Sequence, residues 1–369
     1  MMSAFILVPL LVCIYEILSL ILPLKISLSS KIVCACILLA GLAKTFLYRR
    51  TQTGLDLYEL PYALNLILSI IFNFIVIALF LILAKDLIFL VCRFIIKCKF
   101  PAHHVSLFVL SIAICAALYG TYEGLRVPDV NIHEVKIKGL GQDLDGLKIA
   151  MLVDIHADQL SNKNFVSSIT ARTNALSPDI ILIPGDFVDG QVESRSADVE
   201  PLKNLRAKFG VYAATGNHEY YFDLAGWLEY IKSLGIKFLE NENIIIKSGD
   251  SQIIIAGVPD QTSGNHNVSL ALQNIPENSP IILMDHRPSE ARENAKYNIA
   301  LQLSGHTHGG QMPGLKYLVA RANRGFVRGW YEIDNMKLYV SPGTSQWNGF
   351  SARLLDPSEI TLLILRDDL

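Results

Sequence analysis

An uncharged apolar run from Tyr62 to Ala84 constrains this 369-residue chain more than any other feature. Crossing the hydrocarbon core of a bilayer takes roughly 17–25 residues of helix, and this run is long enough. Three more apolar segments surround it: Ala4–Leu24, rich in Leu, Ile and Val around a single Glu16; Ile32–Tyr48, shorter and carrying Lys44; and Val105–Thr121. A further run, Leu87–Ile96, follows Lys85-Asp86 and either extends the third segment or lies along the interface. The chain is 51% hydrophobic, and the excess sits in its first 121 residues. We read 1–121 as a membrane region with about four transmembrane helices, a buried soluble helical bundle being the weaker reading. A cleavable signal peptide is disfavoured, because more apolar segments follow the first and no basic stretch precedes it.

Charge around these segments bears on sidedness. Lys25 and Lys31 lie between the first two, Arg49 and Arg50 between the second and third, and Arg93, Lys97 and Lys99 between the last two. Positive residues favour the inner side, which places the first and third connections inside and both termini outside. Arg126, Lys136 and Lys138 follow the last segment and pull the other way. The balance leans toward an extracytoplasmic C-terminal domain. All six cysteines (Cys13, Cys34, Cys36, Cys92, Cys98 and Cys115) fall in or beside the apolar segments. The C-terminal part therefore has neither a disulfide framework nor a thiolate metal site. A net charge of −2 and the lack of a basic tract give no support for nucleic-acid binding.

After a short connection over 122–130 the composition turns globular, and 131–369 reads as one α/β domain. Apolar strands are expected at Leu147–Val153, Asp179–Ile183, Val211–Ala214, Pro280–Met284 and Ile299–Leu303. Helices are expected at Asn162–Leu176, Asp198–Phe209, Leu224–Leu234 and Glu290–Tyr297. Asn243–Lys247 and Gln252–Ala256 flank a Ser-Gly-Asp turn, and Val327–Ile333, Leu338–Val340 and Glu359–Leu365 are β-rich. Alternating elements imply stacked α/β layers, and the hairpins argue against a purely doubly wound sheet.

The polar residues fall at the strand ends. In chain order the five apolar strands lead into Asp154-Ile155-His156, Gly185-Asp186 with Asp189, Gly216-Asn217-His218-Glu219, Asp285-His286-Arg287-Pro288 and Gly305-His306-Thr307-His308-Gly309. Ligands of open α/β sheets bind beyond the carboxyl ends of the strands. Carboxylate, amide oxygen and imidazole without sulfur suit borderline divalent metals such as Mn, Fe or Zn. Two such ions roughly 3.5–4 Å apart can clamp a phosphoryl group, and one carboxylate then has to bridge them. Asp186, next to a glycine that lets the backbone turn sharply, is a natural bridge. His306 and His308, two residues apart on a Gly-rich turn, can converge on one ion or straddle two.

This ordered set resembles the calcineurin-like metallophosphoesterase superfamily from about Leu147 to Leu365. His286-Arg287-Pro288, the His-Thr-His turn running on through Gln311, Tyr339-Val340-Ser341 and the stretch from Arg353 to Ile360 look like its bacterial membrane-associated branch. The resemblance implies a four-layer α/β/β/α sandwich with a dinuclear site at one end, preceded here by the transmembrane region. It implies one metal held by Asp154, His156, Asp186 and His308, and the other by Asp186, Asn217, His286 and His306. It implies that His218 lies over the site and meets the substrate or leaving oxygen, with Asp189 orienting it, while a hydroxide bridging the metals attacks phosphorus in line. Many relatives have a single anchor or an export signal, so four spans depart from the pattern.

Other residues carry weaker expectations. Glu219 is read as structural. Arg287, Arg321, Arg324 and Arg328 can meet a second phosphate or an anionic head group, or sit in solvent. Of these, Arg287 and Arg324 are the expected substrate contacts. Glu16 and Lys44 either face the helical bundle or sit near an interface, and no role is assigned to His103, His104, His133 or His266. The expected function is a membrane-bound, dinuclear metal-dependent phosphohydrolase. Its substrate would be a phosphoester or pyrophosphate, lipid-linked or of the cell envelope, a UDP-acylated sugar being one example that the resemblance suggests. The alternative is a membrane sensor or transport-like protein with a phosphoesterase-like binding module. The complete ligand set argues against it. Oligomeric state is not legible.

Overall fold

The computed structural model of the chain describes residues 2–45, 60–97, 101–347 and 349–368. Arg49, Arg50 and Lys99, which enter the charge comparison above, lie outside the described residues, as do Cys98 and the last three residues of the segment Ile32–Tyr48. Two compact units divide the chain: Met1–Arg50, Leu57–Gly124 and Gly349–Leu354 form a helical unit, and the remainder forms an α/β unit.

In the helical unit the first apolar segment is a helix, Met2–Glu16, continued by the π-helical turn Ile17–Ile21. Three helical stretches, Leu28–Thr45, Tyr62–Ile95 and Ala102–Leu125, are long and apolar enough to cross a membrane. The first segment contributes a shorter apolar helix, Leu7–Ile21 among the described residues, so three of the four expected spans reach full length there. The run Leu87–Ile96 extends the third segment rather than lying apart, because nothing interrupts the helix between Tyr62 and Val91 and a π turn, Cys92–Ile96, prolongs it. Buried polar side chains hold the unit together where hydrocarbon cannot satisfy them. Lys44 Nζ donates to Asn65 Oδ1 at 2.8 Å, and Lys85 Nζ donates to the Ser19 carbonyl at 3.0 Å. Glu16 is fully buried, so both ionisable residues in question face the bundle. Residues Gly349–Leu354 belong here too: Asn73 Nδ2 donates to Thr121 Oγ1 at 2.8 Å and to Ser351 Oγ at 3.0 Å. Gly120 lies close beneath this segment: a Cβ there would stand 3.1 Å from that of Ala352, a tight contact.

Among the described residues the α/β unit has twelve strands: β1 (Asp129–Ile137), β2 (Lys148–Met151), β3 (Ile180–Pro184), β4 (Val211–Ala214), β5 (Lys237–Phe238), β6 (Glu242–Ser248), β7 (Ser251–Gly257), β8 (Ile281–Met284), β9 (Leu301–Ser304), β10 (Gly329–Ile333), β11 (Met336–Val340) and β12 (Glu359–Asp367). They form two six-stranded sheets, ordered β1-β12-β2-β3-β4-β5 and β10-β11-β9-β8-β7-β6. Within the first sheet β2, β3, β4 and β5 run parallel; within the second, β7, β8, β9 and β11 do.

The side-chain period of two builds the layers. Ile149 and Met151 point to one face of β2, and there they meet Ile255 of β7, Ile282 of β8 and Leu303 of β9 across the space between the sheets. Ala150 and Leu152 point the other way, onto Phe165 and Ile169 of the helix Lys163–Ala175 and Trp227 of the helix Leu224–Ser233. The outer face of the second sheet, with Ile254, Leu283 and Leu338, packs on Val268, Ala291 and Phe326. The result is helix, sheet, sheet, helix, the expected four-layer sandwich.

Three elements differ from expectation. The helix expected at Asp198–Phe209 is instead Val192–Val199 followed by a 3₁₀ turn, Glu200–Asn204, because Pro201 has no N–H to continue the ladder. A strand, β1, starts at Asp129 and the preceding helix runs to Leu125, leaving three residues between them where composition suggests a connection over 122–130. A helix at Pro313–Ala322 begins right after the His-Thr-His turn, with its proline in the first turn, where a missing N–H costs nothing.

Candidate active site

The five polar clusters leave the carboxyl ends of β2, β3, β4, β8 and β9 and meet at one edge of the two sheets. Their loops are tied to each other before any ligand is considered. Beyond the sheet, Ala157 and Val188 form an isolated parallel bridge, with Ala157 N donating to the Phe187 carbonyl at 2.9 Å and Asp189 N to the Ala157 carbonyl at 3.0 Å. Asp154, His156, Asp186, His306 and His308 all have positive φ, between 42° and 69°. That conformation is uncommon for residues with a Cβ and costs on the order of 1–3 kcal/mol each, so it persists where the surroundings over-determine it. Gly216 is required by close approach: a Cβ on it would stand 2.2 Å from Asp186 Oδ1.

Two triads result, each drawing on both sheets. The ligand atoms of Asp154, His156 and His308 lie within 4.8 Å of one another, and so do those of Asp186, His286 and His306. Nε2 of His156 and Nε2 of His308 are 3.0 Å apart. Asp186 stands between the triads, its Oδ2 3.1 Å from His286 Nε2 and 3.6 Å from His156 Nε2. Its other oxygen accepts from His218 N at 2.9 Å. His306 N donates to both oxygens of Asp154 at 3.1 and 3.0 Å.

The histidines are oriented from behind. His286 Nδ1 sits 2.7 Å from the Pro184 carbonyl, which takes its proton and leaves Nε2 facing Asp186. His156 Nδ1 lies 3.1 Å from Asp189 Oδ1, and His218 Nδ1 bonds to the same oxygen. One carboxylate therefore fixes two imidazoles, His156 in the first triad and His218 beside it. Glu219 grips the turn that carries Asp186: it accepts from Asp186 N at 3.1 Å, Phe187 N at 2.7 Å and Gly216 N at 2.7 Å.

The electrostatics follow from carboxylates and imidazoles sharing a dry pocket. Burial alone would pull His156 down, but Asp189, Asp186 and Asp154 raise it to about 9. His286 is likewise pushed up to about 10 against its burial, chiefly by Asp186. Burial, then the charges of His286 and Arg287, hold His306 at about 3. Burial works against the charge on Asp186, yet His286, His218 and His156 keep it well below the usual carboxylate range.

The donors fit divalent metals. They are oxygen and nitrogen only, and the buried Asn217 Oδ1 makes no hydrogen bond. A buried polar atom left unpaired is costly, and a cation removes that cost.

Six of the seven expected metal-binding residues sit in the two triads, His218 and Asp189 adjoin His156, and Asn217 lies in the turn between Gly216 and His218, whose backbone meets Asp186. Arg287 is held by Asp260 through Nε at 2.7 Å and Nη2 at 3.1 Å, with Thr262 Oγ1 at 3.0 Å from Nη2. Its charge bears on Asp186 and His306. Arg324 is different: it is more than half exposed and pairs with Glu290 at 3.2 Å. Arg328 pairs with Asp356 at 2.9 Å, under the His308 loop, where its Cδ would be 3.5 Å from a Cβ on Gly309.

Sequence reasoning missed three supports. Thr344 closes on β2 twice, its N donating to the Val153 carbonyl at 2.7 Å and its Oγ1 accepting from Val153 N at 3.1 Å. Ser345 N donates to the Asp154 carbonyl at 3.1 Å. Asp260 stands 27 residues before its partner Arg287, so no local pattern joins them. A neighbour of His218 was missed as well: Tyr221, the second residue after the Asn-His-Glu stretch, has its ring centre 5.1 Å from that of His218.

Residues 147–310 match the family model of the calcineurin-like phosphoesterases. A transmembrane protein with metallophosphoesterase domain from Danio rerio is 34% identical over 274 residues, 70% of this chain and 62% of that protein. One of the same description from Bos taurus is 34% identical over 267 residues, 68% of this chain and 60% of that protein. The chain thus spans about three fifths of the length of these two relatives. An uncharacterized metallophosphoesterase from Campylobacter jejuni is 31% identical over 377 residues, covering 89% of this chain and 96% of its own length. With paired His/Asp triads on the carboxyl ends of its strands and a relative aligned along nearly all of both proteins, the chain belongs to the calcineurin-like metallophosphoesterases.

Proposed function

We propose that the protein is an integral-membrane phosphohydrolase whose site takes two divalent ions, Mn, Fe or Zn. In this reading Asp154, His156, Asp186 and His308 hold one, and Asp186, Asn217, His286 and His306 hold the other. The observation that carries it is the place of Asp186 Oδ2, within 3.1 Å of an imidazole from one triad and 3.6 Å of an imidazole from the other. A bridging carboxylate needs that position, and a packed core has no use for it.

Bound ions supply Lewis acidity, polarising the phosphoryl group and readying water for in-line attack. The chain's own residues do the rest. Asp189 accepts the Nδ1–H hydrogen bond of His218, so Nε2 is the atom that meets the substrate and gives a proton to the leaving oxygen. Asp189 also orients His156, coupling the proton donor to the ion site through one oxygen. Arg287, pinned by Asp260, adds fixed positive charge beside His306 for a phosphoryl oxygen. Arg324, in its solvent-exposed pair with Glu290, has no comparable support as a substrate contact.

The helices long enough to cross a membrane support a substrate presented at a membrane, a lipid-linked or cell-envelope phosphoester or pyrophosphate, with a UDP-acylated sugar as one member of that class. Lys25 and Lys97, exposed on the connections between helices, support an orientation with those connections inside and the phosphoesterase unit outside a bacterial plasma membrane.

The test uses the full-length protein in detergent, because Gly349–Leu354 packs within the helical unit and a fragment lacking the helices would lose that cover. Metal content is measured, and chromogenic phosphomonoester and phosphodiester substrates are assayed with Mn, Fe and Zn. Two ions per chain and metal-dependent hydrolysis are expected. An empty site together with no turnover under any divalent metal would sink the reading.

A further inference from the structure

The helical unit contains a cleft of about 260 Å³. It is walled by Leu20 of the π turn Ile17–Ile21, by Leu24 beyond it, by Cys34 of the helix Leu28–Gly41, by Phe74 of the helix Tyr62–Val91 and by Ala117 of the helix Ala102–Leu125. Every lining side chain is hydrocarbon apart from the Cys34 thiol. An apolar cavity of roughly 150 Å³ stays dry and takes up a hydrocarbon guest, so this one favours a chain of methylenes over water.

One end of the cleft is marked by charge. Leu24 lines it, and the next residue, Lys25, is exposed and donates its backbone N–H to His103 Nδ1 at 3.2 Å. Lys31 Nζ donates to the Leu22 carbonyl at 2.6 Å. Two lysines and a histidine thus gather beside the Leu24 end, and the sequence from Ile17 to Lys31 and from Cys92 to Val105 contains no Asp or Glu. A wholly apolar slot next to a basic cluster is complementary to a lipid with an anionic head.

We propose that this cleft binds an anionic glycerophospholipid, with one acyl chain between the helices and the phosphate against Lys25, Lys31 and His103. Basic pockets between transmembrane helices recognise anionic heads in this way. The basic cluster is at the Ala102 end of the helix Ala102–Leu125, and the chain goes on to β1 from the other end, roughly 36 Å away at 1.5 Å per residue. The lipid is a resident of the helical unit and not the substrate.

The test places the full-length protein in phosphatidylcholine vesicles with a trace of phosphatidylglycerol carrying a photoactivatable diazirine in its acyl chain. A parallel sample carries the same diazirine on phosphatidylcholine. After irradiation, adducts are mapped by peptide mass spectrometry. The phosphatidylglycerol probe is expected to label Cys34 and Phe74, and excess unlabelled phosphatidylglycerol, but not phosphatidylcholine, suppresses that labelling. Both probes label the outward-facing Leu11 and Leu83 alike, which reports an intact helical unit. The double variant Lys25→Gln/Lys31→Gln is expected to lower cleft labelling by phosphatidylglycerol roughly thirtyfold. Ala117→Phe, which fills the cleft, removes it while labelling at Leu11 and Leu83 persists. Equal cleft labelling by the two probes shows ordinary bilayer lipid there and overturns the proposal, and so does unchanged labelling in the double variant.

Discussion

Nε2 of His156 and Nε2 of His308 stand 3.0 Å apart although one residue follows β2 of the first sheet and the other follows β9 of the second. Two neutral imidazole lone pairs repel at that distance, so a proton or a cation has to lie between them. Asp189 occupies Nδ1 of His156, which leaves Nε2 as the coordinating atom. His308→Ala is therefore expected to lower bound metal from two ions per chain toward one and kcat by about 100-fold or more. Elemental analysis beside steady-state kinetics checks this. Full metal content in the variant would remove His308 from the ligand set.

Asp189 has two dependants, and its replacement separates from that of either histidine. His218→Ala should cut kcat by about 100-fold or more with both ions retained, because only the proton donor is lost. Asp189→Asn should cut kcat and also weaken metal binding by about 10–100-fold, because His156 loses the carboxylate that orients and polarises it. Metal titrations of the two variants side by side make the comparison. Identical metal affinities would mean that Asp189 serves His218 alone.

Arg287 and Asp260 form a fork that fixes a guanidinium beside the site. Arg287→Lys keeps the charge and loses the fork, so KM should rise about tenfold while kcat changes less. Asp260→Asn should move KM in the same direction by a smaller factor. A fall in kcat at constant KM for both variants would assign the pair to the transition state and not to substrate binding.

Glu240 offers a test of stability against pH away from the metals. It accepts from Thr215 N at 3.0 Å and Thr215 Oγ1 at 3.1 Å, and burial pushes it up to about 7 from 4.5. A carboxyl raised by folding contributes fully below about 4.5 and loses that contribution as pH rises through about 7. Glu240→Gln, which cannot ionise, should leave stability unchanged near pH 4 and raise it by about 2–3 kcal/mol at pH 8. The three tryptophans, Trp227, Trp330 and Trp347, all lie in the α/β unit, so denaturant unfolding followed by their fluorescence isolates that unit. A gain of equal size at both pH values would mean that the carboxyl is not the cause.

Local rules carried much of this structure and failed at identifiable places. Strands β2, β3, β4, β8 and β9 were legible because each is a continuous apolar run buried on both faces, and the polar cluster after each marks its carboxyl end. The sharing of His306 and His308 between two triads was not a matter of spacing. It depends on Asp154 and Asp186 arriving from the other sheet, and only the resemblance hinted at it. β1 was hidden for the opposite reason: it is an edge strand with His133, Glu134 and Lys136 interspersed, so it lacks the apolar signal that burial imposes. Thr344, Ser345 and Asp260 act through contacts between residues far apart in sequence, and a linear reading has no access to those.

The place of β12 has a consequence for biosynthesis. This strand, Glu359–Asp367, slots between β1 and β2, parallel to the one and antiparallel to the other. While a ribosome is still short of Glu359, β1 has no partner in the sheet and β2 exposes a bare edge, although Asp154 and Asp186 have long been translated. The apolar helices precede all of this in the chain, so they can enter a bilayer first. The catalytic sheet then waits open, tethered at the membrane, until its latest segment is made. Such an open edge attracts other strands, and a nascent chain stalled in that interval would present it to its neighbours. Synthesis of β12 is the step that closes this edge.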